Sequence, residues 1–213
     1  MDLKTDLKKA LAELRKEKQR KFDQTVDLII NLQKFDVKKS NINLFASVPH
    51  KIKDKKIGGF LEAKNKNVPA ITPEEFKKYS DKKLLKKLIS KYDYFIAQAS
   101  LMPKVAATFG RVLGPTGKMP SPQMGILMNV DDKAIAELKT KINNSVKLKV
   151  KEACVKLAIG KQSMKDEDII ENALGVYNAL LKSLPRNLEN IRNIEIKFTM
   201  SKPQKIKIRW NKN

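Results

Sequence analysis

The sequence predicts an α/β protein of two domains: an α+β domain assembled from both chain ends, and an α/β unit with a partly parallel sheet inserted into it. Three observations carry this expectation. Between about residues 53 and 142, short strand patterns alternate with helical ones. The two flanking stretches each hold too little helix and strand to bury a core alone. Apolar residues make up 41% of the 213-residue chain, enough for cores, which excludes a disordered basic tail. The expected boundaries are 1–52 with 143–213 for the outer domain and 53–142 for the insertion.

The elements follow in order. Leu3, Leu7, Ala10, Leu11 and Leu14 recur at helical spacing with Lys and Glu between them, which predicts an amphipathic first helix. An apolar run, Val26 to Leu32, comes after Lys21–Thr25. Ile42, Leu44, Ala46 and Val48 alternate with Asn43, Phe45 and Ser47 as a strand. Pro49 ends it, and a basic connector over 51–56 follows. Within the insertion, Ile57 to Leu61 reads as a short strand. Thr72-Pro73-Glu74-Glu75 has the form of a capping box opening a helix. Leu84, Leu85, Leu88 and Ile89 give the next helix its apolar face, Tyr92 to Ala97 a buried strand, Leu101 to Phe109 a short helix, and Asp131 to Ile142 another. Beyond 143, Val146, Leu148 and Val150 alternate with lysines, Ala153 to Ile159 forms a second strand, and a helix spans 166–184 until Pro185 stops it. Ile194, Ile196, Phe198 and Met200 predict one face of a last strand, with Glu195, Lys197, Thr199 and Ser201 on the other.

Charge narrows the function. Lys and Arg number 45 against 23 Asp and Glu, a formal net charge of +22, and a polyanionic partner normally offsets such an excess. The excess is spread along the chain: +5 over 1–51, +9 over 52–142 and +8 over 143–213. Lys outnumbers Arg, which suits diffuse phosphate attraction more than bidentate base readout. No run approaches a membrane helix, Met1–Asp6 carries no apolar signal region, and the single Cys154 fits a reducing compartment. A cytoplasmic protein without membrane partner is expected.

No catalytic constellation emerges. His50 is the only histidine and sits beside Pro49, where a structural or surface role outweighs a metal or nucleophile role. The Gly-rich stretch 110–120 lacks two positions of a phosphate-binding loop: Val112 stands where Gly is needed, and Met119 where Ser or Thr would hold magnesium. It reads instead as a rigid turn exposing Arg111 and Lys118. The acids Asp131-Asp132 and Asp166-Glu167-Asp168 fall at helix starts, where they stabilise the dipole. The residues therefore predict no enzyme, no metal, no cofactor and no small-molecule substrate.

Three stretches carry a resemblance: Lys21-Phe22-Asp23-Gln24-Thr25-Val26, Arg111 to Pro120, and Thr199-Met200-Ser201-Lys202-Pro203. Together with Gly160-Lys161 and the helix after it, they resemble the large-subunit ribosomal protein L-one family over nearly the whole chain. The resemblance implies an outer domain of helices on an antiparallel sheet and an inserted three-layer, Rossmann-like α/β domain. It implies a structural constituent of the large ribosomal subunit, bound to large-subunit ribosomal RNA as a mobile stalk that helps deacylated exit-site tRNA leave. A second role, repression of its own messenger RNA, and a monomeric state when free are also implied. The RNA contacts it implies are Lys21, Phe22, Thr25, Gly160, Lys161, Thr199, Met200 and Ser201. A secondary basic surface would hold Arg111, Lys118, Lys147 and Lys149. Ser201 departs from the family's usual Gly, which would allow close approach or positive φ. Phe22 and Met200 each also fit a core role, and the lysines an ordinary solvated face. A non-ribosomal assembly factor of the same fold and a nucleotide-binding enzyme are the competing readings.

Overall fold

Strict alternation of buried and half-exposed residues from Thr25 to Leu32 is the signature of a strand packed on one face, and the rest of the outer unit is built around it. The computed structural model of the chain describes residues 3–18, 20–37, 42–63, 65, 67–128 and 131–206. In chain order its elements are α1 (Leu3–Arg15), β1 (Thr25–Leu32), β2 (Asn43–Ser47), β3 (Ile57–Phe60), β4 (Ala70–Ile71), α2 (Lys82–Lys91), β5 (Tyr94–Gln98) and α3 (Met102–Thr116). There follow β6 (Ile126–Leu127), α4 (Asp132–Asn143), β7 (Ser145–Lys149), β8 (Cys154–Lys161), α5 (Asp166–Ser183), β9 (Ile191–Phe198) and β10 (Gln204–Ile206). The protein is α/β. Described residues up to Ile52 and from Asn144 form one compact unit, and those of Lys53–Asn143 form a second.

In the outer unit, β10, β9, β1 and β8 lie side by side as an antiparallel sheet. Val26, Leu28 and Ile30 of β1 and Ile194, Ile196 and Phe198 of β9 point into one core. Leu7, Leu11 and Leu14 of α1 and Ile169, Ala173, Val176 and Leu180 of α5 close it from the same side. The helical and period-two patterns thus meet in a two-layer sandwich. β2 and β7 make a separate antiparallel pair. Asn172, fully buried on α5, ties loop to sheet: its Oδ1 accepts from the His50 N–H, and its amide donates to the carbonyls of His50 and Ile159, each at 2.9 Å.

In the second unit, β4, β3, β5 and β6 form a parallel sheet. Phe60, Phe95 and Ala97 pack with Leu85 and Leu88 of α2 and Val105 and Phe109 of α3. The alternate residues Ile57, Tyr94 and Ile96 are buried too, as a parallel sheet covered on both faces requires.

Three local expectations change. The capping box at Thr72 does not form: the Thr72 carbonyl, not its hydroxyl, accepts from the Glu75 N–H at 2.9 Å, and a 3-10 segment runs over Pro73–Ser80. The side-chain cap belongs to Asp81, which accepts from the Lys83 N–H at 2.9 Å and starts α2. The stretch 110–120 is only partly a turn. α3 continues through Gly110, Gly114 and Pro115 and stops at Gly117, whose φ of 70° gives the left-handed cap. Finally, β9 ends at Phe198, so Thr199 and Met200 lie in a turn, not on the faces of a strand.

Candidate nucleic-acid interface

The antiparallel register brings distant segments to one end of the outer sheet. Thr25 opens β1 opposite Lys161 at the close of β8, while Val26 lies opposite both Gly160 and Phe198. The loop 20–24, the turn 162–164 and the turn 199–201 therefore emerge side by side. All eight residues of the expected RNA contact set lie in or beside these three segments.

The group that holds them is Gln24, only 3% exposed. Its Oε1 accepts from the Met200 N–H at 3.0 Å, its amide donates to Gln162 Oε1 at 3.2 Å, and its carbonyl accepts from the Gln162 N–H at 2.8 Å. Asp23 does the same outside: its carboxylate accepts from the Ser163 N–H at 3.0 Å and hydroxyl at 2.9 Å, and stands 3.8 Å from the Lys161 ammonium. Arg15, in the last turn of α1, donates to Asp166 at 2.6 Å and to the carbonyls of Gln162 and Met164 at 3.2 and 2.9 Å. Composition and periodicity did not single out these three side chains. Gln24 and Asp23 fell inside a family-like stretch, and that was the only signal; Arg15 gave none.

The expected contact residues take different places in this framework. Phe22 is 51% exposed and Met200 59%. Neither is core, and Met200 leaves the face of Phe198 because the strand has already ended. Lys21 is exposed. Thr199 is exposed, but its hydroxyl is engaged: it accepts from the Thr25 N–H at 3.1 Å and donates to the Thr25 carbonyl at 3.3 Å. The Ser201 hydroxyl accepts from the Phe198 N–H at 2.8 Å, which closes the turn without a positive φ. Gly160 is buried and faces α5. A Cβ there would meet Ile169 Cγ1 at 3.1 Å and the Met164 sulfur at 3.3 Å, so packing explains the glycine.

The secondary basic residues are divided between the two units, Lys147 and Lys149 in the outer one and Arg111 and Lys118 in the second. Lys147 and Lys149 stand on β7 opposite Phe45 and Asn43. The Lys147 ammonium lies 5.6 Å from the Phe45 ring centroid, and burial, then the Lys149 charge, push its pKa down. Arg111 is exposed on α3. Lys118 is half-buried and donates to the carbonyls of Ile89 and Tyr92, at 2.7 Å each. It finishes the C-terminus of α2, a role its place in a Gly-Pro stretch concealed.

Chemically, the sheet end is a nearly continuous protein surface. The depression bounded by Leu14, Arg20, Gln24, Phe198 and Met200 holds about 10 Å³, room for one water and far below a small-molecule site. Around it stand exposed Lys18, Arg20, Lys21 and Lys202. Two exposed apolar side chains in a basic rim, on a frame fixed by hydrogen bonds, suit a folded polyanion with exposed bases. Among the described residues no group of His, Cys, Asp and Glu could hold a metal ion, and no helix is long and apolar enough to cross a membrane.

Residues 14–202 match the model of the Ribosomal protein L1p/L10e family. Among similar proteins are three named large ribosomal subunit protein uL1. That of Pyrobaculum islandicum is 36% identical over 208 residues, covering 92% of this chain and 90% of the relative. The one from Thermoplasma acidophilum is 35% identical over 214 residues, covering 95% and 96%. The Nanoarchaeum equitans protein is 34% identical over 197 residues, covering 87% and 92%.

Proposed function

The chain belongs to the Ribosomal protein L1p/L10e family, and on that ground we propose that it is a non-enzymatic constituent of the large ribosomal subunit that binds large-subunit ribosomal RNA. The observation that carries this reading is the convergence of Lys21–Thr25, Gly160–Lys161 and Thr199–Ser201 at one end of the outer sheet, with Phe22 and Met200 exposed there. Phe22 offers a ring on which an unpaired base stacks. Thr199, Gln24 and Ser201 hold the turn, and the surrounding lysines supply affinity that falls with salt. In this reading the bound unit is the stalk that assists deacylated tRNA out of the exit site. The same surface also binds a structure in the protein's own messenger, more weakly, and represses translation there. The location is cytoplasmic, on the ribosome.

The decisive experiment is cosedimentation with large subunits lacking the protein, followed by isotherms on the isolated stalk RNA. Replacing Phe22 with Ala should weaken stalk-RNA binding by about 1–3 kcal/mol, the usual worth of one base stack. Since no charge is lost, the salt slope should hold. Parent-like binding by a folded Phe22→Ala variant would remove this sheet end as the recognition site. Absence of binding anywhere on its own transcript would remove the repressor role alone.

A further inference from the structure

The second unit carries a cleft that the reading above does not use. It opens at the amino ends of the parallel strands, beside Ile57 at the start of β3, Val68 and Pro69 just before β4, and Tyr92 just before β5. Its volume is about 410 Å³, within the roughly 300–1,000 Å³ range of small-ligand sites. Its rim holds Lys55, Lys56, Lys91 and Lys139, with Asn67 beside them.

Not all of these charges are available to a ligand. The Lys55 ammonium donates to the Ile142 carbonyl at 2.5 Å near the end of α4, and Lys118 does the same for α2. These two offset the negative carbonyl ends of the helices that border the cleft. That leaves Lys56, Lys91 and Lys139 as surplus. Among the described residues none of the three is within ion-pair distance of an acid. The nearby Asp93 is engaged with Lys53 at 3.3 Å and with the Lys56 N–H at 3.2 Å. Burial first, and then the neighbouring Lys53 charge, push the Lys55 pKa down against the opposing pull of Asp93.

The floor differs from the rim. Tyr92 is 7% exposed and braced edge-on by Phe95, with ring centroids 5.7 Å apart. The Lys91 ammonium lies 5.6 Å from the Tyr92 ring centroid. Val68, Pro69 and Ile57 continue the apolar wall. Parallel sheets usually bind ligands at the carboxyl ends of their strands. Here that end presents Glu62, which accepts from the Ser100 hydroxyl at 2.9 Å, and a carboxylate there opposes phosphate. The basic, aromatic-floored site is at the other end.

We propose that this cleft binds a nucleotide unit, its phosphate held by Lys56, Lys91 and Lys139 and its ring or ribose laid against Tyr92, Val68 and Pro69. The phosphate comes from a free nucleotide or from one link of a single RNA strand. This gives the second unit a nucleotide site of its own, distinct from the outer sheet end.

The test uses the full chain, labelled with nitrogen-15 and titrated separately with uridine monophosphate and with octauridylate. Amide shifts of Asn67, Val68, Lys91 and Tyr92 should move and saturate with at least one probe. A response to octauridylate alone assigns the site to an RNA strand, and a response to the monophosphate assigns it to free nucleotides. Replacing Lys91 and Lys139 together with Gln should weaken that titration about fivefold or more. For octauridylate the salt slope should fall by about 0.7, the contribution of one phosphate neutralised on a single strand. Replacing Lys104 and Lys133, exposed elsewhere on α3 and α4, removes the same charge and should change binding less than about twofold. Unmoved cleft amides with both probes, or equal losses from the two pairs, would overturn the proposal.

Discussion

Gln24 shows how much of the interface rests on one uncharged side chain. It is buried at the meeting of β1, the turn after β8 and the turn after β9, and it satisfies polar groups on both turns. Replacing it with Ala leaves the Met200 N–H and the Gln162 amide without that partner. The expected loss is about 1–3 kcal/mol of stability, read by urea denaturation, together with weaker stalk-RNA binding. A variant as stable as the parent would show that water replaces the amide and that the turns hold themselves. Gly160→Ala tests a different property. Its Cβ would press on Ile169 and Met164, so overpacking should cost about 1–3 kcal/mol; no stability change would mean that α5 gives way freely. Neither role was visible in the sequence, because a buried glutamine and an exposed one look alike until the register is known. Phe22 and Met200 were ambiguous for the matching reason: an apolar residue beside a strand belongs to the core or to a partner, and only their exposure decides.

At the scale of elements, periodicity was a good guide wherever an element has one buried face. The stripe of Leu7, Ala10, Leu11 and Leu14 and the alternation around Leu148 point inward as their spacing predicts. Errors fell where local chemistry has two solutions. Pro115 and Gly114 suggested a turn, yet a proline in the last turn of α3 interrupts little, and the helix ends at Gly117. Gly117→Ala should therefore cost about 1–2 kcal/mol, the left-handed penalty of a Cβ; an unchanged thermal midpoint for the second unit would contradict that cap. Lys118 follows from the same error. Once α3 runs to Thr116, the next lysine is delivered to the end of α2 instead of to solvent. Lys118→Met strips two carbonyls of their donor, so it should destabilise the second unit by about 1–3 kcal/mol. Binding of stalk RNA should stay as it is, and a marked loss of that binding would mean that Lys118 meets RNA after all.

For the whole molecule, the useful fact is that each hydrophobic core lies entirely inside one unit. The outer core draws on both chain ends, and the second core on residues 60–113 alone. Chain continuity does not hold the outer unit together; the shared core and the pairing of β1 with β8 and β9, and of β2 with β7, do. The Val48 N–H donates to the Asn144 carbonyl at 2.8 Å, so the two points at which the chain leaves and re-enters are already side by side. A polypeptide joining residues 1–51 to 144–213 through a short linker should fold with its core intact. It lacks the +9 of residues 52–142, and that charge attracts any polyanion regardless of sequence. Its affinity for unrelated duplex should therefore fall more than its affinity for stalk RNA, raising the ratio between them. The salt slope on unrelated duplex should become shallower, while recognition through Phe22 and the 199–201 turn, which depends on shape and stacking, should persist. Isotherms on both RNAs at several salt concentrations decide the matter. If the shortened polypeptide is folded yet binds stalk RNA no better than unrelated RNA, specificity does not reside in the outer unit, and the sheet end is only one contact among several.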